Sequence, residues 1–388
     1  MPFAVHQILI SNEFGGLEEI ALRLAVEVRK TTAARSEVWL PGEGKTWERA
    51  AAMKLSTNEV DAVGSLSKSW LRAGLSNGSF AFQLRKHPRG IAHIHTPFAY
   101  RALRHGLRWA GVRTVVHVHL EYGQEMLRWS LRNPPDAIIT CATFLEQQVR
   151  NALPSHAQET QTIRAIPNSF DSNRFYPGDR QQAKRMLRTD PNCPVLLMLA
   201  NLAPHKGQET TIRAVAELAK QGIKVQCWLA GAERSPGTNY EHSLRKLCQE
   251  LDVIEHVNFL GFCTHTAELL RAADLLLLPS TCEGLPLTIL EAQASGVPVL
   301  AAPTAGIPEV IQDGVTGCLI EATDHHAYAN RIRHLLQDSE SYARIASKAR
   351  EHCLQNHNWP QYWDRVRNVY DLVARECQSK PAIELPLH

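Results

Sequence analysis

No stretch of this chain reaches the roughly 18 consecutive apolar residues that a membrane-spanning helix needs, so an integral membrane protein is not expected. The opening Met1-Pro-Phe-Ala-Val-His6 lacks a basic region, an apolar run and a cleavage site, and no secretory signal is read there. The nine cysteines are scattered from Cys141 to Cys377 with no C-x-x-C pair. That pattern excludes a zinc ribbon or a disulfide framework and points to a reducing, cytoplasmic compartment. Each thiol is read as a small buried hydrophobe. There is no D-x-D carboxylate pair to hold a divalent metal, no repeat of fixed period and no low-complexity segment. Acidic residues are missing altogether between Asp61 and Glu121. That span still carries Lys68, Arg72, Arg85, Lys86, Arg89, Arg101, Arg104, Arg108 and Arg113, interleaved with Trp70, Phe80, Phe82, Phe98, Tyr100 and Trp109. Such a face is either simply solvated or suited to an anionic surface or ligand. It carries no nucleic-acid-binding signature, and a nucleic-acid partner is not expected.

What remains is ordinary for a globular protein, and 388 residues are enough for two full cores. Short apolar runs alternate with helix-like stretches. The first half offers candidate strands at 6–11, 37–40, 91–95, 114–119 and 137–141. The second offers 195–200, 224–230, 257–260, 275–278, 298–301 and 318–320. Alternation of this kind predicts α/β folding, with parallel sheets covered by helices on both faces. Two series predict two Rossmann-like domains. Pro177, Gly178, Pro191 and Pro194 stand among charged residues and read as a linker near 175–190. Near the end, Tyr362, Val366, Val369, Tyr370 and Val373 have the spacing of one helix face.

The most informative segment runs from Ser280 to Gly296, STCEGLPLTILEAQASG. Two carboxylates, Glu283 and Glu291, bracket a strand-to-helix transition. Pro286 suits a first helical turn and Gly296 a helix stop. The N–H groups of Leu285, Leu287 and Thr288 then point outward at a positive helix end, which favours phosphate. A ligand with phosphate at its centre and hydroxyls at both ends fits this arrangement, as a nucleotide sugar does.

These residues resemble the paired-glutamate motif of the retaining glycosyltransferases of family 4, which have the GT-B fold. Ala200-Asn-Leu-Ala-Pro-His-Lys-Gly207 is similar to the family's phosphate loop. Leu229-Ala-Gly231, Val257 to Gly261, Gly306 to Val310 and Asp313-Gly314 match further landmarks, and Phe14-Gly15-Gly16, Val116 to His119 and Ile166-Pro-Asn168 match more loosely. The resemblance implies a GT-B architecture, two Rossmann-like domains whose parallel sheets face a central cleft. Residues 1–175 would be the acceptor domain, 176–355 the nucleotide-sugar donor domain, and 356–388 a C-terminal helix crossing back to the first.

It also implies roles. Lys206 meets the departing phosphates. Glu283 binds a donor-sugar hydroxyl near the reacting carbon. His119 binds a sugar hydroxyl and orients the acceptor, with His117 as its rival on the same strand face; His93 and His95 end a second strand. Gly15, Gly16, Asn201, Gly284, Leu285, Pro286, Leu287 and Glu291 contact the donor, Glu291 through the ribose, and the base lies near Phe259 to Phe262. Asn201 departs from the family, which often has arginine there; the phosphates are then neutralised more weakly, or Arg234 or His205 supplies the missing charge. No cofactor and no metal ligands are implied. The expected function is metal-independent, retaining transfer of a sugar from a nucleotide diphosphate donor to a hydroxyl acceptor that is a glycan, a glycolipid or a small molecule, with peripheral contact to an anionic membrane. The rival readings are a GT-B phosphorylase or epimerase, and a catalytically weak nucleotide-sugar-binding protein.

Overall fold

A computed structural model describes residues 4–379 apart from Ala33, Val63, Lys68, Pro88, Arg89 and residues 234–238. The chain divides into two compact units, one of residues 1–167 with 360–388, the other of residues 168–359.

The first unit holds a seven-stranded sheet: β1 (Ala4–Ile8), β2 (Arg35–Leu40), β3 (Ser56–Glu59), β4 (Gly90–Ile94), β5 (Arg113–Val118), β6 (Ala137–Thr140) and β7 (Ile163–Ala165). Its order is β3-β2-β1-β4-β5-β6-β7, and every pair is parallel. The second holds six strands: β8 (Val195–Leu199), β9 (Gln226–Ala230), β10 (Val257–Gly261), β11 (Leu275–Leu278), β12 (Val299–Ala301) and β13 (Cys318–Leu319). Its order is β10-β9-β8-β11-β12-β13, again all parallel. Both sheets start at an inner strand, run outward to one edge and then return to build the other side. The order therefore reverses between β1 and β4 and between β8 and β11, the crevice where doubly wound sheets bind ligands.

The central strands are buried on both faces, and their sequences are nearly continuous apolar runs such as Val195-Leu-Leu-Met-Leu199 and Leu275 to Leu278. In the second unit Leu196, Met198, Leu275 and Leu277 pack with Ile212, Val215 and Leu218 of the helix Gln208–Lys220. That helix turns off at Gly222, whose φ is +73°. In the first unit Leu9, Val38 and Leu40 pack with Ala21, Leu22 and Ala25 of the helix Gly16–Thr31. The helix Trp359–Ser379 buries Tyr362, Val366, Val369, Tyr370 and Val373, and from Pro360 onward it groups with residues 1–167.

The stretch read as a linker is not one. The boundaries between units fall at 167/168 and 359/360, not at 175 and 355. Asp179 caps the helix Arg180–Met186 by accepting from the Gln182 N–H at 2.9 Å. Lys184 of that helix is only 3% exposed. Its Nζ donates to Asp274 Oδ2 at 2.7 Å and to the Cys193 carbonyl at 2.8 Å. Asp274 also accepts from the Val195 N–H at 2.7 Å and pairs with Arg180 at 3.1 Å, so it ties this segment to the starts of β8 and β11.

Removing one partner of a buried pair leaves the other charge without compensation. Asp274→Ala is expected to destabilise the protein by about 3 kcal/mol or more, seen as a lower urea midpoint. Adding Lys184→Met should recover part of the loss. A midpoint unchanged in Asp274→Ala would show that the pair does not anchor this segment.

Candidate functional site

In the second unit, the loops after β8 and β11 leave the carboxyl ends of the two strands that flank the reversal of strand order. Gly207 lets them approach. Its φ is +79°, and a Cβ there would lie 2.2 Å from the Pro279 carbonyl oxygen. The Thr281 N–H donates to the His205 carbonyl at 2.8 Å, so the loops are hydrogen-bonded to each other. Gly231, at the end of β9, closes against the first loop in the same way, since a Cβ there would lie 1.9 Å from the Ala200 carbonyl oxygen.

This approach brings Lys206 and Glu283 together, 77 positions apart in sequence. Lys206 Nζ lies 2.8 Å from Glu283 Oε1, with side-chain exposures of 18% and 6%. The pair is partly shut off from water, where attraction is strong but desolvation is costly. Gly284 and Leu285 are buried beside it. Their carbonyls accept from the Gly306 N–H at 3.0 Å and from Asn168 Nδ2 at 2.8 Å. These bonds fix the turn that starts the helix Leu287–Ala294. Pro286 stands just before that helix with φ −64° and ψ 126°, one position earlier than the sequence suggests. The first N–H groups of a helix have no acceptor within it, so a half-positive end lies beside the ion pair. Glu291 is half-buried one turn into the helix, and Gly296 ends the element with φ +73°.

Asn201 is half-buried, and its backbone carbonyl accepts from Gln208 Nε2 at 2.9 Å. His205 is exposed, while Arg234 lies outside the described residues. At the ends of β9 and β10, Phe259 lies under the Arg245 guanidinium at 4.2 Å, and Phe262 is 40% exposed.

The first unit has its own reversal, between β1 and β4. Gly15 and Gly16 follow β1 and open the helix Gly16–Thr31. Gly15 is extended, with φ −158°, a conformation that any residue adopts, so the torsion itself does not call for glycine. His119 follows β5 and is 5% exposed. It does not stand alone. Residues two apart on a strand share a face, and the parallel register His93↔Val115 sets His95 beside His117. His93, His95, His117 and His119 form one buried column, with ring centroids 3.7 Å apart for His117 and His119 and 4.4 Å for His93 and His95. His119 Nε2 lies 3.1 Å from His95 Nδ1. Burial, and secondarily the neighbouring His119, pushes His93 down to about 3. Burial alone does the same to His119. His95 and His117 fall well below the ordinary value, first through burial and then through their histidine neighbours. All four rings are therefore neutral at neutral pH. The sequence signal was present, an H-x-H at the end of two successive candidate strands, but it was read as competing single residues.

The basic span is also changed by the fold. Arg113 pairs with Asp136 at 2.7 Å, so it has the acidic partner that its own stretch of sequence lacks. Lys68 and Arg89 lie outside the described residues. Arg101, Arg104 and Arg108 line up on the helix Pro97–Ala110, and the Arg101 guanidinium sits 5.0 Å over the Trp129 ring. Arg104 is held below its ordinary value by burial first, and then by Arg101, Arg132 and Arg108. Trp109 beside them is 47% exposed.

Residues 179–352 match the family described as glycosyl transferases group 1. The D-inositol 3-phosphate glycosyltransferase of Nocardia farcinica is 30% identical over 210 residues, 53% of this chain and 47% of that protein. The enzyme of the same description from Mycobacterium bovis is 30% identical over 238 residues, 61% of this chain and 49% of that protein. The chain thus spans about half the length of the curated relatives it matches. Among solved structures, Anabaena HepE in complex with UDP superposes with a TM-score of 0.81 at 22% identity, covering 95% of this chain and 100% of that one. Sucrose-phosphate synthase from Thermosynechococcus elongatus gives 0.79 at 19% identity, covering 96% and 100%. The chain therefore has the GT-B fold, and its residues 179–352 match the group 1 glycosyl transferases.

Proposed function

We propose that this protein is a retaining, metal-independent glycosyltransferase that moves a sugar from a nucleotide diphosphate donor to a hydroxyl acceptor. The observation that carries the reading is the Lys206–Glu283 pair in the reversal crevice of the second sheet, beside the start of the helix Leu287–Ala294. The lysine suits a phosphate, the carboxylate suits a sugar hydroxyl, and the helix end adds neutral donors at the same place.

In this scheme the donor diphosphate draws Lys206 away from Glu283. Glu283 is then released to accept from a donor-sugar hydroxyl next to the anomeric carbon. Glu291 accepts from the ribose, and the backbone of Gly284, Leu285 and Leu287, with Pro286 setting the turn, lines the phosphate. Asn201 adds a neutral donor where a cation would bind more strongly. The acceptor hydroxyl attacks the anomeric carbon from the leaving-group side as the bond to the phosphate oxygen breaks. That oxygen takes the acceptor proton, so the products are the glycoside and the nucleoside diphosphate, with configuration kept. Lys206 and the helix end stabilise charge that builds on the leaving group. Gly15 and Gly16, at the strand ends of the first unit's own crevice, keep their assignment as donor contacts, and His119 is assigned to a sugar hydroxyl and the orientation of the acceptor.

The test is turnover with a panel of nucleotide sugars and simple acceptors. Release of nucleoside diphosphate is expected without added magnesium or manganese, and the anomeric coupling of the product should match the donor's. Inversion of configuration would overturn retention, and dependence on inorganic phosphate would indicate a phosphorylase.

The roles separate in kinetics. Lys206→Ala is expected to lower kcat by roughly 100-fold or more. Glu283→Ala should mainly lower kcat, and Glu291→Ala should mainly raise the donor KM. Reversed phenotypes for the two glutamates would refute this division.

We further propose a lipid-linked acceptor reached at an anionic membrane face on the cytoplasmic side. Among the described residues no helix is long and apolar enough to cross a membrane. The helix Trp70–Leu84, which packs on the helix that carries the arginine stripe, leaves Leu71, Leu75 and Phe82 56%, 72% and 66% exposed. Three arginines at about 1 kcal/mol each would shift partitioning roughly a hundredfold. The protein is expected to sediment with anionic vesicles at low salt and to be released by replacing Arg101, Arg104 and Arg108 with Gln. A protein that stays in the supernatant at every lipid charge would point to a soluble acceptor.

A further inference from the structure

The histidine column of the first unit contains more lone pairs than the protein satisfies. His117 is fully buried, and neither Nδ1 nor Nε2 has a hydrogen-bond partner. A neutral imidazole carries one donor and one acceptor, so both polar atoms of this ring are out of water and unmatched. His93 is also fully buried, and its Nε2 is unmatched. Buried polar groups are normally paired, and an unpaired set in one place calls for a missing occupant.

The partners that are present orient the other rings. His95 Nε2 lies 2.7 Å from Gln7 Oε1, which can only accept, so that nitrogen carries the hydrogen and Nδ1 has the lone pair. His93 Nδ1 lies 2.7 Å from the Tyr370 hydroxyl, which also accepts from Gln7 Nε2 at 3.3 Å. When His93 Nδ1 donates to that hydroxyl, Nε2 is left with its lone pair. His95 thus gives its far N–H to a fixed acceptor, and His93 does the same in the tautomer that donates to the Tyr370 oxygen, the tautomer a bound metal selects; second-layer partners of this kind hold metal-bound histidines. His93, His95 and His117 each bring one nitrogen to within 4.8 Å of the others. Tetrahedral zinc with bonds near 2.0–2.1 Å needs nitrogens about 3.4 Å apart, so a modest inward rotation of the rings closes the site.

We propose that His93, His95 and His117 form a buried binding site for a divalent transition metal of the zinc class, oriented by Gln7 and Tyr370. All three ligands are imidazole nitrogens, which suits zinc, copper or nickel and not magnesium or calcium, whose ligands are oxygens. An ion there takes His95 Nδ1 from His119, which keeps the acceptor-side role proposed above, and the fourth position is left to a water molecule. The site lies wholly within the first unit and is separate from the phosphate chemistry proposed for Lys206. Its role is structural: it joins β1, β4 and β5 to the helix Trp359–Ser379 through Gln7 and Tyr370.

The full-length protein would be stripped with EDTA, moved to metal-free buffer and titrated with Co²⁺. One equivalent is expected to bind and to give the intense visible bands of four-coordinate cobalt, which Zn²⁺ then bleaches. Zn²⁺ should raise Tm where Mg²⁺ does not. His117→Gln should abolish the bands. Because that change sits in the sheet, Tyr370→Phe serves as a second variant. It keeps the ring, removes the hydroxyl that orients His93, and should weaken Co²⁺ binding about tenfold or more. A stripped wild-type protein with no cobalt bands and no zinc-dependent rise in Tm would overturn the proposal. So would binding that survives His117→Gln and is lost in the double variant His325→Gln, His326→Gln. That result would place the ion on the second, more exposed group of Glu217, His325 and His326.

Discussion

A lysine and a glutamate held 2.8 Å apart, with little water around either, are tolerable only as a pair. Much of the second unit serves to keep them there. Gly207 and Gly231 let two loops come within backbone contact. The loops hydrogen-bond to each other at Thr281 and His205, and Asn168 and Gly306 hold the turn that carries Glu283. The pair also constrains the ligand. Anything that takes the lysine must offer the glutamate a replacement, or a carboxylate is left buried alone. A diphosphate joined to a hydroxylated sugar supplies both replacements in one molecule. A bare phosphate supplies only the first.

The two sheets reverse order in the same way, yet the chain equips the two crevices differently. In the second unit the strand ends present a cation, two carboxylates and a helix start, all suited to a charged, hydroxyl-rich ligand. In the first unit the same position carries neutral imidazoles packed against the helix Trp359–Ser379. Burial keeps those rings uncharged, so they contribute lone pairs and hydrogen bonds and no field. On the helix Pro97–Ala110 of this unit three arginines stand close together, and Arg104 is held below its ordinary value by burial first and then by Arg101.

Much of this was legible in the sequence because burial on both faces of a parallel strand writes a plain apolar run. The central strands β8 and β11 are examples, while the motif from Glu283 to Gly296 was legible through its paired carboxylates, Pro286 and Gly296, which mark a turn into a helix. Two strands left no such run. β3 reads Ser-Thr-Asn-Glu and β7 Ile-Arg-Ala, and both sit at sheet edges, where short and polar sequences are favoured. The proline-rich stretch after Phe175 was misread because breakers were counted while Lys184 and its distant partner Asp274 were not. Pairs such as Lys206 with Glu283, or Tyr370 with His93, join positions that only the closed sheet brings together. The histidines had visible spacing, but their grouping depends on the register of β4 and β5, which sequence does not state.

The central claim is that the crevice of the second sheet binds a nucleoside diphosphate through Lys206. The most direct check is calorimetric titration of UDP, GDP and ADP into the wild-type protein and into Lys206→Met, with the matching monophosphates as controls. At least one diphosphate is expected to bind, more tightly than its monophosphate, and to lose about tenfold or more in affinity in the variant. Failure of all three diphosphates to bind, or equal affinity in Lys206→Met, would contradict the account.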